Sequence, residues 1–387
     1  MISDSQKVDV NLNSEKPFNN RVENVLFVHQ GFELYGSDKS LLRNIKAVRI
    51  KYPDSNITVI LPQKGILSNI LEQEDGVEVR IMPMGVLRKY DLKHFKFGII
   101  PRVTTYYKKI ELLNQFDLVF INSIVVIDFI LASRYCKSKV IIHVREIPTG
   151  IQRYIFSKLL SFSNANLLFV SATAKEAFSS LSNKNQVVLL NGCKPIKKLP
   201  KHDRDDQYIN ILLPGRINSW KGQPLLVSAI SKLSKSEKDK IRVRILGDVY
   251  GKQEHLKSRL ISLINKKHLK EVIEIIPFTK NPEIHYNWAD VVVVPSLLPE
   301  PFGLVAIEAM SIGKLVIAAQ HGGLTEIIQD RVTGLFFKPR DDQDLADKIS
   351  EVVHNKDMIS NYGENGVKVF MEKFCDDVYF KNFLNII

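Results

Sequence analysis

Arg216 and Lys221 lie close behind the apolar run Tyr208–Leu213, and Glu300 and Glu308 lie close behind the run Val291–Val294. Two cations in a short loop after a strand can neutralise a diphosphate. Breaking a sugar–phosphate bond builds negative charge on the departing diphosphate, and fixed cations and helix amides stabilise that charge without a metal ion. Pro301 fits the first turn of a helix, which is expected to run on through Met310. The amides of Phe302, Gly303 and Leu304 would then face an anion, and Gly303 would let a phosphate approach the backbone. Glu308 follows about 7.5 Å further along at a rise of about 1.5 Å per residue. That is roughly the reach from a pyrophosphate to a ribose, from whose hydroxyls a carboxylate can accept hydrogen bonds. Singly, each residue reads as an ordinary surface charge. Glu308, however, interrupts the apolar residues Leu304–Ile307 and Ala309–Met310.

Such groups need strands to aim them. Short β-branched runs recur through the first half at Val25–Val28, Ile57–Leu61, Val77–Ile81, Leu118–Ile121, Val140–Val144, Leu167–Val170 and Val187–Leu190. In the second half they recur at Tyr208–Leu213, Ile241–Leu246, Val272–Ile276, Val291–Val294 and Leu315–Ala318. Apolar residues at consecutive positions mark strands buried on both faces. Alternation with helical stretches, twice over, predicts two doubly wound α/β domains. A charged, non-periodic stretch after Asn191-Gly192-Cys193-Lys194-Pro195 reads as the linker. The boundaries expected are a loose tail over 1–22, an N-terminal domain over 23–197, a C-terminal domain over 198–375 and a closing helix over 376–387. Tyr379, Phe380, Phe383, Leu384 and Ile387 form one face of that helix.

The 387 residues carry a net charge of +12, and residues 1–200 hold nearly all of it. Segregated charge suits a two-domain protein in which one half meets an anionic partner. Cys136, Cys193 and Cys375 are scattered, which fits neither a disulfide framework nor a zinc site and points to a reducing compartment. The N-terminal stretch lacks the apolar core of a signal peptide. No apolar run reaches the length of a membrane span. The expectation is a cytoplasmic protein.

Three motifs then follow one another in order: Gly-Arg-x-x-x-x-Lys-Gly (Gly215–Gly222), Glu-x7-Glu (Glu300–Glu308) and Gly-Gly-x-x-Glu (Gly322–Glu326). Over residues 208–340 the chain resembles the retaining glycosyltransferases of family GT4. The resemblance implies the GT-B fold, two Rossmann-like domains facing a central cleft. It implies metal-independent transfer of a hexosyl unit from a UDP-, GDP- or dTDP-sugar, with retention at the anomeric carbon and no cofactor. By the same resemblance Arg216 and Lys221 hold the diphosphate, Glu308 the ribose and Glu300 the sugar hydroxyls. Pro277-Phe278-Thr279 lies against the base.

The resemblance also places the glycine loop of the first half, with Gly36, and the strand-end His143 beside the donor. GT4 enzymes commonly have two adjacent glycines where this chain has Gly36-Ser37. Arg145 and Glu146 are expected to pair with each other. Residues 86–110 interleave Arg88, Lys89, Lys93, Lys96, Arg102, Lys108 and Lys109 with five aromatic residues. Such a surface can rest on an anionic bilayer, so peripheral membrane contact and a lipid-linked glycan acceptor are expected; a glycan acceptor in bacterial surface polysaccharide or lipopolysaccharide synthesis is what the family resemblance implies. No nucleic-acid-recognition motif accompanies the charge. Alternatives are a non-catalytic nucleotide-sugar-binding subunit and another enzyme on the same architecture, such as an epimerase or a phosphorylase. The absence of GxGxxG after either first strand disfavours a nicotinamide oxidoreductase.

Overall fold

The computed structural model describes residues 22–34, 36–87, 106–181, 184–199, 207–249 and 253–387. Strands apolar at consecutive positions have no face to give to water, so they pair in parallel and are covered on both sides. Among the described residues the first half forms β1 (Asn24–Val28), β2 (Asn56–Leu61), β3 (Val77–Ile81), β4 (Leu118–Ile121), β5 (Lys139–Val144), β6 (Asn166–Phe169) and β7 (Gln186–Val188). The second half forms β8 (Ile209–Pro214), β9 (Ile241–Leu246), β10 (Ile273–Ile276), β11 (Val291–Val294), β12 (Leu315–Ala319) and β13 (Gly334–Phe337). The sheets run β3-β2-β1-β4-β5-β6-β7 and β10-β9-β8-β11-β12-β13. Every pairing within them is parallel.

Each sheet therefore reverses its direction of growth once, between β1 and β4 and between β8 and β11. Crevices at such reversals, beyond the carboxyl ends of the strands, are where open α/β sheets bind ligands. The loop after β8 carries Arg216 and Lys221, and the loop after β11 carries Glu300. His29 and Asn122 follow β1 and β4 at the corresponding place in the first domain.

Two strands depart from expectation by more than one residue. β13 is additional: its sequence, Gly-Leu-Phe-Phe, is short, starts on glycine and has no β-branched residue. β7 stops at Val188 rather than Leu190.

Alternate residues of β1 point to opposite faces. Val25 and Phe27 join one apolar cluster, which includes Tyr379, Phe383 and Ile387. Leu26 and Val28 join another, which continues into the second domain through Phe302, Phe374 and Cys375. The last helix runs over Asp376–Leu384. It packs on the first domain, against the helix Gly36–Lys51. The Tyr379 hydroxyl donates to Asn44 Oδ1 at 2.5 Å. Arg43 Nε pairs with Asp376 Oδ1 at 2.7 Å. Lys51 Nζ donates to the carbonyls of Leu384 and Ile387 at 2.7 and 2.6 Å. The chain thus crosses between domains twice, and the crossings touch: Cys193 N donates to Phe374 O at 2.9 Å. Cys136, Cys193 and Cys375 are buried free thiols. Residues 1–21 of the expected tail and 200–206 of the expected linker lie outside the described residues.

Candidate active site

The loop after β8 is shaped by a glycine. Gly222 has φ +80°, and a Cβ there would lie 1.8 Å from the Pro295 carbonyl oxygen. Without a side chain the loop passes flush against the segment that follows β11, and Leu297 N donates to Trp220 O at 2.7 Å. Lys221 is thereby delivered to Glu300: Nζ lies 2.6 Å from Oε1. Ser296 Oγ donates to the same oxygen at 2.5 Å. Glu300 is 5% exposed, and burying a carboxylate is costly unless charge and hydrogen bonds compensate it. Lys221 and Ser296 supply both. Lys221 Nζ also lies 4.5 Å from the Trp220 ring centroid.

The Glu300 backbone is held independently. Gly323 N donates to Glu300 O at 2.7 Å. Gly322 has φ +64°, and a Cβ there would meet Glu300 O at 2.4 Å. His321 Nε2 donates to the Ser296 carbonyl at 2.8 Å, and burial holds its imidazole below the usual range.

Arg216 lies on the same loop as Lys221, and its carbonyl accepts from Gln223 Nε2 at 3.0 Å. The helix expected from Pro301 begins later, at Leu304, with Gly303 as its N-cap. Pro301 and Phe302 form a bend before it. The Phe302 ring is buried in the core. Sequence alone favoured the earlier start because proline suits a first helical turn, but the Pro301 carbonyl is engaged by Ser171 of the other domain at 2.6 Å. Glu308 is half-buried on this helix. Its Oε2 accepts from the Tyr286 hydroxyl at 2.6 Å. Burial, and then the charge of Glu308, push the Tyr286 hydroxyl well above its ordinary range, so it stays a donor. Tyr286 was not anticipated, because it lies in a different helix, Glu283–Trp288. Phe278, after β10, is 52% exposed.

Gly36 opens the helix Gly36–Lys51. A Cβ there would lie 2.9 Å from Leu304 Cδ1 of the opposite domain, so this glycine admits the second domain's helix. His143 is 1% exposed. Among the described residues neither of its ring nitrogens has a partner. Burial first, and Arg145 second, hold its imidazole well below the usual range. A neutral imidazole offers one donor and one acceptor. The expected Arg145–Glu146 side-chain pair is replaced by other contacts. Arg145 Nη1 donates to Ser40 Oγ at 2.5 Å, and Glu146 accepts from Ser123 Oγ and from the Arg145 amide at 3.0 Å.

Two arrangements were not anticipated. His29, fully buried, lies 2.6 Å from Asp38 Oδ1 through Nε2 and 2.9 Å from Asn122 Nδ2 through Nδ1. It ties the ends of β1 and β4 to the glycine-loop helix. Glu326, the last residue of the third motif, reaches across the cleft. It accepts from Ala172 N at 2.7 Å, Thr173 N at 2.8 Å and Thr173 Oγ1 at 2.7 Å. Among the described residues no group of three or more His, Cys, Asp or Glu is placed to hold a metal ion.

Of the basic stretch 86–110, residues 88–105 lie outside the described residues. Lys109 does not belong to an exposed face. It is 7% exposed, donates to the Pro83 carbonyl and lies 5.1 Å from the Phe129 ring centroid, so its long stem packs inward. Tyr107 and Lys108 are exposed. They adjoin an aromatic row on neighbouring elements. Tyr106 lies against Tyr135 with centroids 6.4 Å apart, and Tyr135 against Phe162 at 6.0 Å. Arg134 lies 5.6 Å from the Phe162 centroid, and Lys158 5.6 Å from that of Tyr154. Among the described residues no helix is long and apolar enough to cross a membrane.

This geometry can be set beside known proteins. Residues 196–369 match the family model "Glycosyl transferases group 1". The matched segment holds Arg216, Lys221, Glu300, Glu308 and Glu326, and it takes in most of the C-terminal domain. An uncharacterized glycosyltransferase of Methanocaldococcus jannaschii is 29% identical over 234 residues, 59% of this chain and 60% of that relative. A lipopolysaccharide 1,2-N-acetylglucosaminetransferase of Salmonella typhimurium is 30% identical over 187 residues, covering 44% of this chain and 48% of the relative. The chain thus spans about three-fifths or less of the length of the curated relatives it matches. In three dimensions the likeness extends over both domains. Anabaena HepE, solved in complex with UDP-glucose, superposes with a TM-score of 0.79 at 21% identity, covering 94% of this chain and 98% of that one. WaaG, a glycosyltransferase involved in lipopolysaccharide biosynthesis, gives 0.71 at 13% identity, covering 94% and 99%. The fold is GT-B.

Proposed function

We propose that this chain is a retaining glycosyltransferase of family GT4, which moves a hexosyl unit from a nucleotide-sugar to a glycan or lipid-linked glycan. The observation that carries the reading is the pairing of half-buried Lys221 with buried Glu300 at the β8/β11 reversal, with Arg216 on the same loop. Lys221 and Arg216 meet the diphosphate as its charge grows, without a metal ion. Glu308, oriented by Tyr286, takes the ribose hydroxyls. Glu300 takes sugar hydroxyls, and Phe278 lies beside the base. From the other wall, Gly36 lets the donor close to the backbone and His143 offers a neutral nitrogen to a sugar hydroxyl. In the transfer the bond from the anomeric carbon to the phosphate oxygen breaks. The acceptor oxygen bonds to that carbon on the same face, and its proton passes to the departing phosphate.

UDP-glucose is the first donor to try, because HepE was solved with it. The Salmonella relative supports an acceptor in lipopolysaccharide or another surface glycan. The aromatic row beside Lys108, Arg134 and Lys158 supports peripheral contact with anionic lipid at the cytoplasmic membrane face.

Turnover of UDP-, GDP- and dTDP-hexoses should be followed by NMR with EDTA present. Release of nucleotide with an α-linked product from an α-linked donor is expected. An inverted product would remove the retaining assignment, and dependence on added metal would remove the metal-independent one. Binding without turnover of any donor would leave a nucleotide-sugar-binding subunit. Flotation with phosphatidylglycerol vesicles should show association that falls with salt, and its absence would remove the membrane contact.

A further inference from the structure

The site described above leaves the carboxylate of the third motif without a role, since Glu326 points away from Lys221 and Glu300 into the opposite domain. Its partners there are the first amides of the short helix Ala172–Glu176 and the Thr173 hydroxyl. Ser171 is the N-cap of that helix. Its Oγ receives Ala174 N at 3.0 Å and donates to Pro301 O at 2.6 Å. Pro301 directly follows Glu300. On its other side, the Glu300 carbonyl receives Gly323 N at 2.7 Å, and the carbonyl of Gly323 in turn receives Glu326 N at 3.1 Å. The first domain therefore grips the Glu300 loop at two places, the Pro301 carbonyl and the Glu326 carboxylate. The backbone of Glu300 lies between them.

We infer that Glu326 is a positioning residue that couples closure of the cleft to the placement of Glu300. In the closed form the Ser171–Thr173 segment fixes the loop from the opposite wall. When the domains part, Glu326 and the Pro301 carbonyl lose these donors to water, and the loop keeps only the contacts of its own domain. Gly36 is consistent with this closeness, since a Cβ there would lie 2.9 Å from Leu304. The inference rests on the transferase reading for its kinetic consequence and on geometry alone for its structural one.

The test combines two readouts on Glu326→Ala, Glu326→Gln, Thr173→Ala and the Glu326→Ala/Thr173→Ala pair. Small-angle scattering should show a larger radius of gyration for Glu326→Ala than for wild type, with and without UDP. Turnover of the donor should fall at least about tenfold in Glu326→Ala, while the UDP dissociation constant changes less than about twofold, because Arg216, Lys221 and Glu308 all belong to the second domain. Glu326→Gln retains an acceptor oxygen and should recover part of the turnover. The double variant should be no worse than Glu326→Ala alone. Should Glu326→Ala not fold, Ser171→Ala and Thr173→Ala, on the other wall, carry the same expectation. Wild-type turnover and scattering in these variants, equal loss of UDP binding and turnover, or additive effects in the pair would overturn the inference. If the wild-type protein turns over no donor, the transferase reading fails, and the scattering still decides whether Glu326 holds the cleft closed.

Discussion

At the scale of single residues, the structure gives the charged groups unequal surroundings. Lys221 is engaged by a buried carboxylate, so it is already oriented, and Arg216 lies on the same loop. Removing a group that stabilises developing charge costs about 10²–10³ in turnover. Arg216→Ala and Lys221→Ala should each lose about that much turnover, whereas Glu308→Ala should mainly raise the donor KM. Steady-state kinetics with the best donor checks both. Lys221→Ala also leaves Glu300 without its cation, so Lys221→Met with Glu300→Gln should fold better than Lys221→Ala alone.

His143 makes a prediction about pH. Its folded pKa is depressed below 6.5 by burial. The unfolded chain takes up the proton first on acidification, which favours unfolding. The native state is therefore free of this penalty above about pH 6.5 and loses stability as pH falls toward the depressed value. His143→Gln should flatten that decline. Urea midpoints of both proteins at pH 8 and pH 5.5 measure it: the wild-type protein should fall further between them. Equal slopes would mean that His143 titrates normally.

At the scale of elements, the strands were legible because runs such as Val291–Val294 and Leu118–Ile121 have no polar face. The missing strand, β13, was illegible for the opposite reason, since Gly334 and the two phenylalanines give no β-branched signal. Motif spacing also located the loops. It did not reveal the partners of those loops, because Tyr286 with Glu308 and Glu326 with Thr173 meet only once the chain has folded. The first turn of the helix carrying Glu308 was misplaced because proline propensity is local, whereas the Pro301 carbonyl answers to Ser171 in the other domain. Gly222 offers a test of how strictly a loop needs its glycine. Gly222→Ala demands φ near +80° from an L-residue and places a methyl group against the Pro295 carbonyl. The strain alone is of order 1–3 kcal/mol. Denaturation should show at least that loss, with Lys221 displaced and turnover reduced. A variant of wild-type stability would show that the loop can move away from Pro295.

At the scale of the molecule, the two domains share more than a cleft. One apolar cluster passes from the first sheet into the second domain, and the final helix returns to cover the first. Phe383 is fully buried there, its ring stacked on Tyr379 with centroids 5.9 Å apart. Phe383→Ala should cost about 3–5 kcal/mol, read as a fall in the urea midpoint. The loss should destabilise the first domain, although the substitution lies far along the chain from its sheet. Proteolysis at low urea, mapped by mass spectrometry, should show cleavage appearing first within residues 23–197.

The position of that last helix also sets an order of events during synthesis. A ribosome delivers the seven strands of the first domain long before residues 376–387. Until those residues emerge, the face of β1 that carries Val25 and Phe27 has only the early helix residues such as Leu41, Ile45 and Val48 over it, and the part that Tyr379, Phe383 and Ile387 will cover stays open while the whole second domain is made. The domain begun first is thus the domain completed last, and a nascent chain stalled anywhere between the two crossings would display an oily surface to the chaperones of the cell.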